Sequence, residues 1–200
     1  MEPKPQYLQD LAVLDPIAAY GILLGVPRIP ISINASGAFS SFAVGQTIQA
    51  GLDTTIAQRT WISNVQYSLQ QPNVFNGSVF KTAYDANLKQ CPGIGIRLTV
   101  HSGPKYLVSP KFTPIENFAQ QFVTDWPAGW PLFKQQNIEV EFLLTQAPPS
   151  NGQNAPPYNV TLTFNGWSFL DHTVDEIAVD IAASKLRSLG FWIPESVECP

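Results

Sequence analysis

The chain has 200 residues, enough for one domain with a full core, yet only 13% of them are charged, about half the ~25% of ordinary globular proteins. Net charge is −4 and no Lys/Arg cluster occurs, which excludes the electrostatic footprint of a nucleic-acid binder. The two cysteines, Cys91 and Cys199, match no zinc, redox or multi-disulfide spacing; two free thiols or one long-range bridge both fit. Polar surface must then come from Gln, Asn, Ser and Thr, while aromatics reach 12%. Depletion of Lys, Glu and Asp with aromatic enrichment is the composition of protein interfaces, so the balance points to assembly.

Residues 1–28 form an arm. It lacks the basic-then-apolar order of a signal peptide, and its longest uncharged apolar run, Ile17–Pro27, is too short to span a bilayer. Asp15-Pro16 predicts a helix start, with Asp as N-cap and Pro at the first position; Gly25 and Pro27 end it. That helix is apolar on nearly every side, so it must be buried all round. Either its own core or a neighbouring subunit can cover it. Docking between subunits makes Ile17, Tyr20, Ile22, Leu23 and Leu24 partner contacts, and predicts that a chain beginning at Arg28 stays folded.

From Arg28 onward the apolar period is two. Strands are predicted over Ile29–Asn34, Val44–Ala50, Thr60–Gln70, Ile94–Ser102, Lys105–Val108, Ile138–Thr145 and Tyr158–Trp167. Four of them alternate cleanly, as in antiparallel sheets with one packed and one wet face. The expected class is mainly β: an antiparallel β-sandwich or jelly-roll-like core over 29–170, with the N-terminal arm and two peripheral helices. Thr113-Pro-Ile-Glu116 reads as a capping box opening an inserted helix, 113–123. Thr173-Val-Asp-Glu176 repeats it ahead of a helix over Val174–Leu189, within a C-terminal segment 171–200. Ile177, Ile181 and Leu189 are spaced to share its buried face. The Pro-rich stretch Gln146–Pro157 reads as an exposed loop.

Chemistry is sparse. His101 lies on a wet strand face beside Ser102, and His172 follows Asp171. A Ser–His–Asp triad drawn from Ser102, His172 and Asp171 lacks the nucleophile-elbow motif. Glu139 and Glu141 share a strand face, and a two-carboxylate glycosidase is the only hydrolytic reading they allow; a plain solvent face fits better. No catalytic residue, metal ligand set or cofactor motif is assigned. Gly93-Ile-Gly95 lacks the third glycine and the helix of a dinucleotide site. The cluster around Trp126, Trp130 and Phe133 is the best candidate binding surface: a lid on the sandwich, a partner anchor, or a sugar-stacking platform.

The arm, the Gln/Asn-rich β core and the capped C-terminal helix come with five segments spanning most of residues 90–170. They are Gly93-Ile-Gly-Ile-Arg-Leu-Thr-Val-His, Lys105-Tyr-Leu-Val-Ser, Thr113-Pro-Ile-Glu-Asn-Phe, Ile138-Glu-Val-Glu-Phe-Leu-Leu-Thr and Val160-Thr-Leu-Thr-Phe-Asn-Gly-Trp. Together they resemble tailed-bacteriophage virion proteins of the capsid cement, decoration and neck or tail adaptor class. The resemblance implies a non-enzymatic virion component, made and assembled in the host cytoplasm. Its expected partners are copies of itself and other virion proteins, the major capsid protein among them, with no nucleic acid or membrane. The alternative is a carbohydrate-binding β-sandwich for host recognition, using Trp126 and Trp130.

Overall fold

A computed structural model describes residues 5–41, 43–53, 56–72, 80–82, 93–101, 111–118, 129–132, 137–147 and 157–195. Its elements are α1 (Gln6–Leu14), α2 (Pro16–Leu23), β1 (Arg28–Phe39), β2 (Thr47–Gly51), β3 (Thr60–Pro72), β4 (Phe80–Thr82) and β5 (Gly93–His101). After these come β6 (Thr113–Pro114), β7 (Trp130–Leu132), β8 (Asn137–Gln146), β9 (Tyr158–Phe169), a 3-10 helix (His172–Glu176) and α3 (Val179–Ser188). Every pairing is antiparallel. One sheet runs β1-β9-β3-β4, with β7 also on β3; the other runs β2-β8-β5-β6. The mainly β, sandwich-like architecture expected from the alternating strands is what the chain adopts.

The two-residue period sets the core. Ile94, Ile96 and Leu98 face Val140, Phe142 and Leu144 of the same sheet, and Val160, Leu162 and Phe164 of β9 join them in one buried cluster. The remaining edge of β1 is blocked in two ways. Pro30 has no N–H to offer, and Asp53 closes the middle, its Oδ1 accepting from Asn34 N–H at 2.9 Å while its own N–H donates to Asn34 C=O at 2.8 Å. A strand edge closed in this way does not recruit another strand.

A third layer covers one end. On β9 the buried set switches face after Phe164, so that Trp167 and Phe169 point away from the sandwich. A bulge between Ile62 and Asn64 lets Trp61 do the same on β3. Leu8, Leu11, Ile17 and Ala19 from α1 and α2, with Ala182 and Leu186 from α3, close a second core over them. Gly166 is what permits the crossing: a Cβ there would lie 1.9 Å from the Trp61 carbonyl oxygen. That is a collision with backbone, which no rotamer change relieves.

Several local expectations are corrected. Val44 is in a turn beside Gly45, which has φ +94°, and the strand starts at Thr47. β1 runs on to Phe39 rather than stopping at Asn34. Thr113 and Pro114 are held extended by pairing with Ile96 and Gly95, so helical backbone begins at Ile115 rather than at a Thr113 cap. The C-terminal helix is two pieces. Asp171, not Thr173, caps the first, accepting from Thr173 N–H at 2.9 Å, and extended Ile177 and Ala178 separate it from α3. That break rotates the register, so Ala182, Ala183 and Leu186 are buried while Ile181 and Leu189 are exposed. The expected strand Lys105–Val108 and both cysteines lie outside the described residues.

Two expectations follow. Gly166→Ala should lower stability by about 1–3 kcal/mol or more through overpacking, read as a shift in denaturant midpoint; an unchanged midpoint would mean the crossing is looser than described. Thermal melts should show Asp171→Ala more destabilising than Glu176→Ala, because Asp171 accepts both from the Thr173 backbone N–H and from its hydroxyl. Equal melting temperatures would return the helix start to the Thr173–Glu176 box.

Candidate functional site

The residues 1–28 arm is tied to the body by a buried charge pair. Asp15 ends α1 and caps α2, its Oδ1 accepting from Ala18 N–H at 3.0 Å. Its other oxygen, Oδ2, accepts from Arg59 Nη1 at 2.7 Å. Arg59 Nε also lies 3.4 Å from Asp175 Oδ1, in the 3-10 helix. One guanidinium therefore joins the arm, the start of β3 and the C-terminal segment. On the far side Gln9 donates from Nε2 to the Trp192 carbonyl at 2.9 Å.

This geometry relocates the predicted partner residues. Ile17 is buried in the second core, and Tyr20 and Ile22 pack against it half-buried. Leu23 (41% exposed) and Leu24 (56%) face solvent at the end of α2. Trp130 is only 2% exposed, in β7 against β3, so it is a core residue and not an anchor or sugar platform. Trp126 and Phe133 lie outside the described residues. The structure thus consumes most of α2 in its own fold and leaves its C-terminal end, Leu23 and Leu24, open.

Around the open end further apolar groups are exposed. Ile29 is the second residue of β1, and Leu170, 53% exposed, donates its N–H to Pro27 C=O at 2.9 Å. Between α2 and the sheet a cleft of about 450 Å³ is lined by Ile22, Val26, Pro27, Arg28, Pro30 and Trp167, among others. Arg28 lies over the Trp167 ring, 5.0 Å from its centroid, as a cation–π contact. Trp61 stacks beside that ring at 6.3 Å and Phe169 meets it edge-on at 5.2 Å. Tyr7 hydrogen-bonds the Trp167 side chain; burial pushes its hydroxyl above the usual tyrosine pKa, opposed by that bond and by the Arg28 charge.

Beyond Trp167 the same outer face changes character. Strand register lines up three rungs across β1, β9 and β3: Ser32–Asn165–Asn64, Asn34–Thr163–Gln66 and Ser36–Thr161–Ser68. All nine positions are amides or hydroxyls, and all are exposed or half-exposed. Ser36 Oγ and Thr161 Oγ1 are 3.0 Å apart, and Thr163 donates to Asn34 Oδ1 at 2.8 Å. In the sequence the β3 and β9 members belong to the wet faces of alternating strands, while Ser36 lies beyond the strand expected over Ile29–Asn34. Their alignment into uncharged rungs needs the register, which no single strand carries.

The catalytic candidates come apart. Glu141 accepts from Arg97 Nε at 2.8 Å, and that arginine also lies 4.9 Å over the Phe112 ring. His172 and Asp171 are exposed, 3.8 Å apart; Ser102 and the His101 side chain lie outside what is described. The Asp171 carboxyl is held below its ordinary pKa, chiefly by the Thr173 backbone N–H, which is capping rather than catalysis. Among the described residues no three His, Cys, Asp or Glu side chains group as metal ligands, and no helix is long and apolar enough to cross a membrane.

The chain matches no family model and no curated protein.

Two measurements test the arm. Leu8, Leu11 and Ile17, buried in the second core, contribute about 1.5–3 kcal/mol each, together approaching the lower end of a domain's ~5–15 kcal/mol margin. A chain beginning at Arg28 should therefore lose its cooperative melt, contrary to the expectation for an arm docked only in a neighbour. Asp15→Ala should cost about 3–5 kcal/mol, because it leaves Arg59 buried with a weakened partner set. A loss below about 1 kcal/mol in urea unfolding would show that water reaches the pair.

Proposed function

We propose that this protein is a non-enzymatic structural subunit of a tailed-phage virion that holds to capsid protein or to copies of itself and reinforces or bridges the assembly. The observation that carries the reading is the solvent-facing apolar end of the helical layer. Leu23, Leu24, Ile29 and Leu170 are all exposed there, with no Lys, Asp or Glu in Ile17–Leu24 or Ile29–Ile33 to relieve them. Trp192, 68% exposed, adds an aromatic on the same layer, in the segment that docks on α1. Exposed aliphatic groups of this kind suit the apolar centre of a protein interface. The chain's low charge and its likeness to cement and adaptor proteins supply the virion context.

A host-recognition module working through Trp126 and Trp130 is less well supported, since Trp130 lies inside the core. Sedimentation velocity at tens of micromolar, with and without purified phage capsids, tests the assembly reading. Self-association or capsid binding is expected, and Leu23→Glu with Leu24→Glu should abolish it at unchanged melting temperature. A monomer that ignores capsids, or association indifferent to both substitutions, overturns it.

A further inference from the structure

We propose that the open face of β1, β9 and β3, together with the cleft over Trp167, is a binding site for a neutral oligosaccharide. The site is separate from the Leu23–Leu24 surface and stands on different residues.

The face is chemically unusual in what it lacks. Across the three rungs from Ser32–Asn165–Asn64 to Ser36–Thr161–Ser68 there is no ionisable and no apolar side chain. Amides offer donors and an acceptor, and hydroxyls offer both from one atom. A sugar ring presents that same mixed pattern around its rim, with an apolar C–H face. Thr163 already gives its proton to Asn34 Oδ1, and Asn34 Nδ2 donates to Asp53 Oδ2 at 3.0 Å, so the Thr163 hydroxyl retains acceptor capacity. Gln66, on the same rung and exposed, can donate or accept. Successive rungs are about 6.6–6.8 Å apart along a strand and the strands about 4.8 Å apart, which makes a track suited to an oligosaccharide rather than one sugar.

The track ends at the next rung, Pro30–Trp167–Trp61. Trp61 is buried, and the cleft of about 450 Å³ opens over Pro30 and the half-buried Trp167. Gly166 and Gly25 also line it. The uncovered part of the Trp167 ring beside a row of amides and hydroxyls suits a ring with one apolar face and a polar rim.

The alternatives fit less well. A protein partner seeks aromatic and aliphatic groups, and Ser is depleted at interfaces; most of the exposed large apolar groups among the described residues lie on or beside the helical layer instead. Strand addition is blocked at β1 by Pro30 and by the Asn34–Asp53 bonds. An anionic glycan would find no cation on the rungs; Arg28 lies beyond them, in the cleft over Trp167.

The test is isothermal titration calorimetry of the full chain against cellohexaose, maltohexaose and N-acetylchitohexaose, with a hyaluronate hexasaccharide as the anionic probe. Saturable binding of at least one neutral hexasaccharide is expected, insensitive to salt. Gln66→Ala with Thr163→Val, both at exposed or half-exposed positions, should weaken it about tenfold or more at unchanged melting temperature. Leu23→Glu with Leu24→Glu should leave it intact, so this proposal and the assembly reading fail separately. No binding by any of the three at low-millimolar concentration, binding only of hyaluronate, or indifference to the rung substitutions would each overturn the proposal. So would a finding that the rung substitutions abolish self-association while no sugar binds, since the face would then be a protein interface.

Discussion

The fold turns on three aromatic side chains that point the wrong way. Trp61, Trp167 and Phe169 leave the sandwich side of their sheet for its outer face, and a solvated patch of that size would be a standing invitation to aggregate. The helices from both ends of the chain exist to cover it. That is why two segments so far apart in sequence meet, and why their meeting point carries a buried arginine. Arg59 sits next to the strand that delivers Trp61 and takes Asp15 from the arm and Asp175 from the C-terminal segment. A buried ion pair adds little net stability over an apolar packing of the same shape, but it is costly to break and specific in geometry. Its role here is registration: α2 docks only where Asp15 reaches the guanidinium.

The same economy governs the other arginines. The chain has four, Arg28, Arg59, Arg97 and Arg187, and each makes an intramolecular contact, although only Arg59 is buried. Arg28 lies over Trp167, Arg97 pairs with Glu141 against Phe112, and Arg187 donates to the carbonyls of Ile193 and Pro194. Recognition by the chain's surface leans on apolar burial at the helical end and on neutral hydrogen bonding at the sheet face, both of which salt screens weakly.

Much of the core was legible because the period-two pattern is a direct consequence of strand geometry. Ile138, Val140, Phe142 and Leu144 could be assigned one buried face from spacing alone, and they share one. Legibility failed where tertiary pairing overrode local signals. Thr113-Pro-Ile-Glu116 has every mark of a capping box, yet pairing with Gly95 and Ile96 holds its first two residues extended. Gln6–Leu14 is a helix that the sequence analysis does not predict: its buried residues, Leu8, Leu11 and Ala12, have helical spacing, but no capping side chain marks its start. Trp130 looked like a surface aromatic among prolines and glycines; only its pairing with Ile62 buries it.

The candidate sites illustrate the harder limit. Leu23 and Leu24 belong to an unbroken apolar helix, which is covered along most of its length and open at its C-terminal end. Which end stays open depends on where Phe169 and Asp15 sit. The rungs across β1, β9 and β3 were invisible for a different reason. Each strand by itself shows an ordinary wet face, and polar residues on a wet face carry no information one strand at a time. Aligned by register, they become a surface from which charge is absent on every rung, in a chain whose other polar face, on the second sheet, carries Arg97, Glu139 and Glu141. Two faces with the same solvent exposure and different chemistry are not explained by solubility alone. The contrast between them is therefore the feature of this molecule that most calls for a ligand.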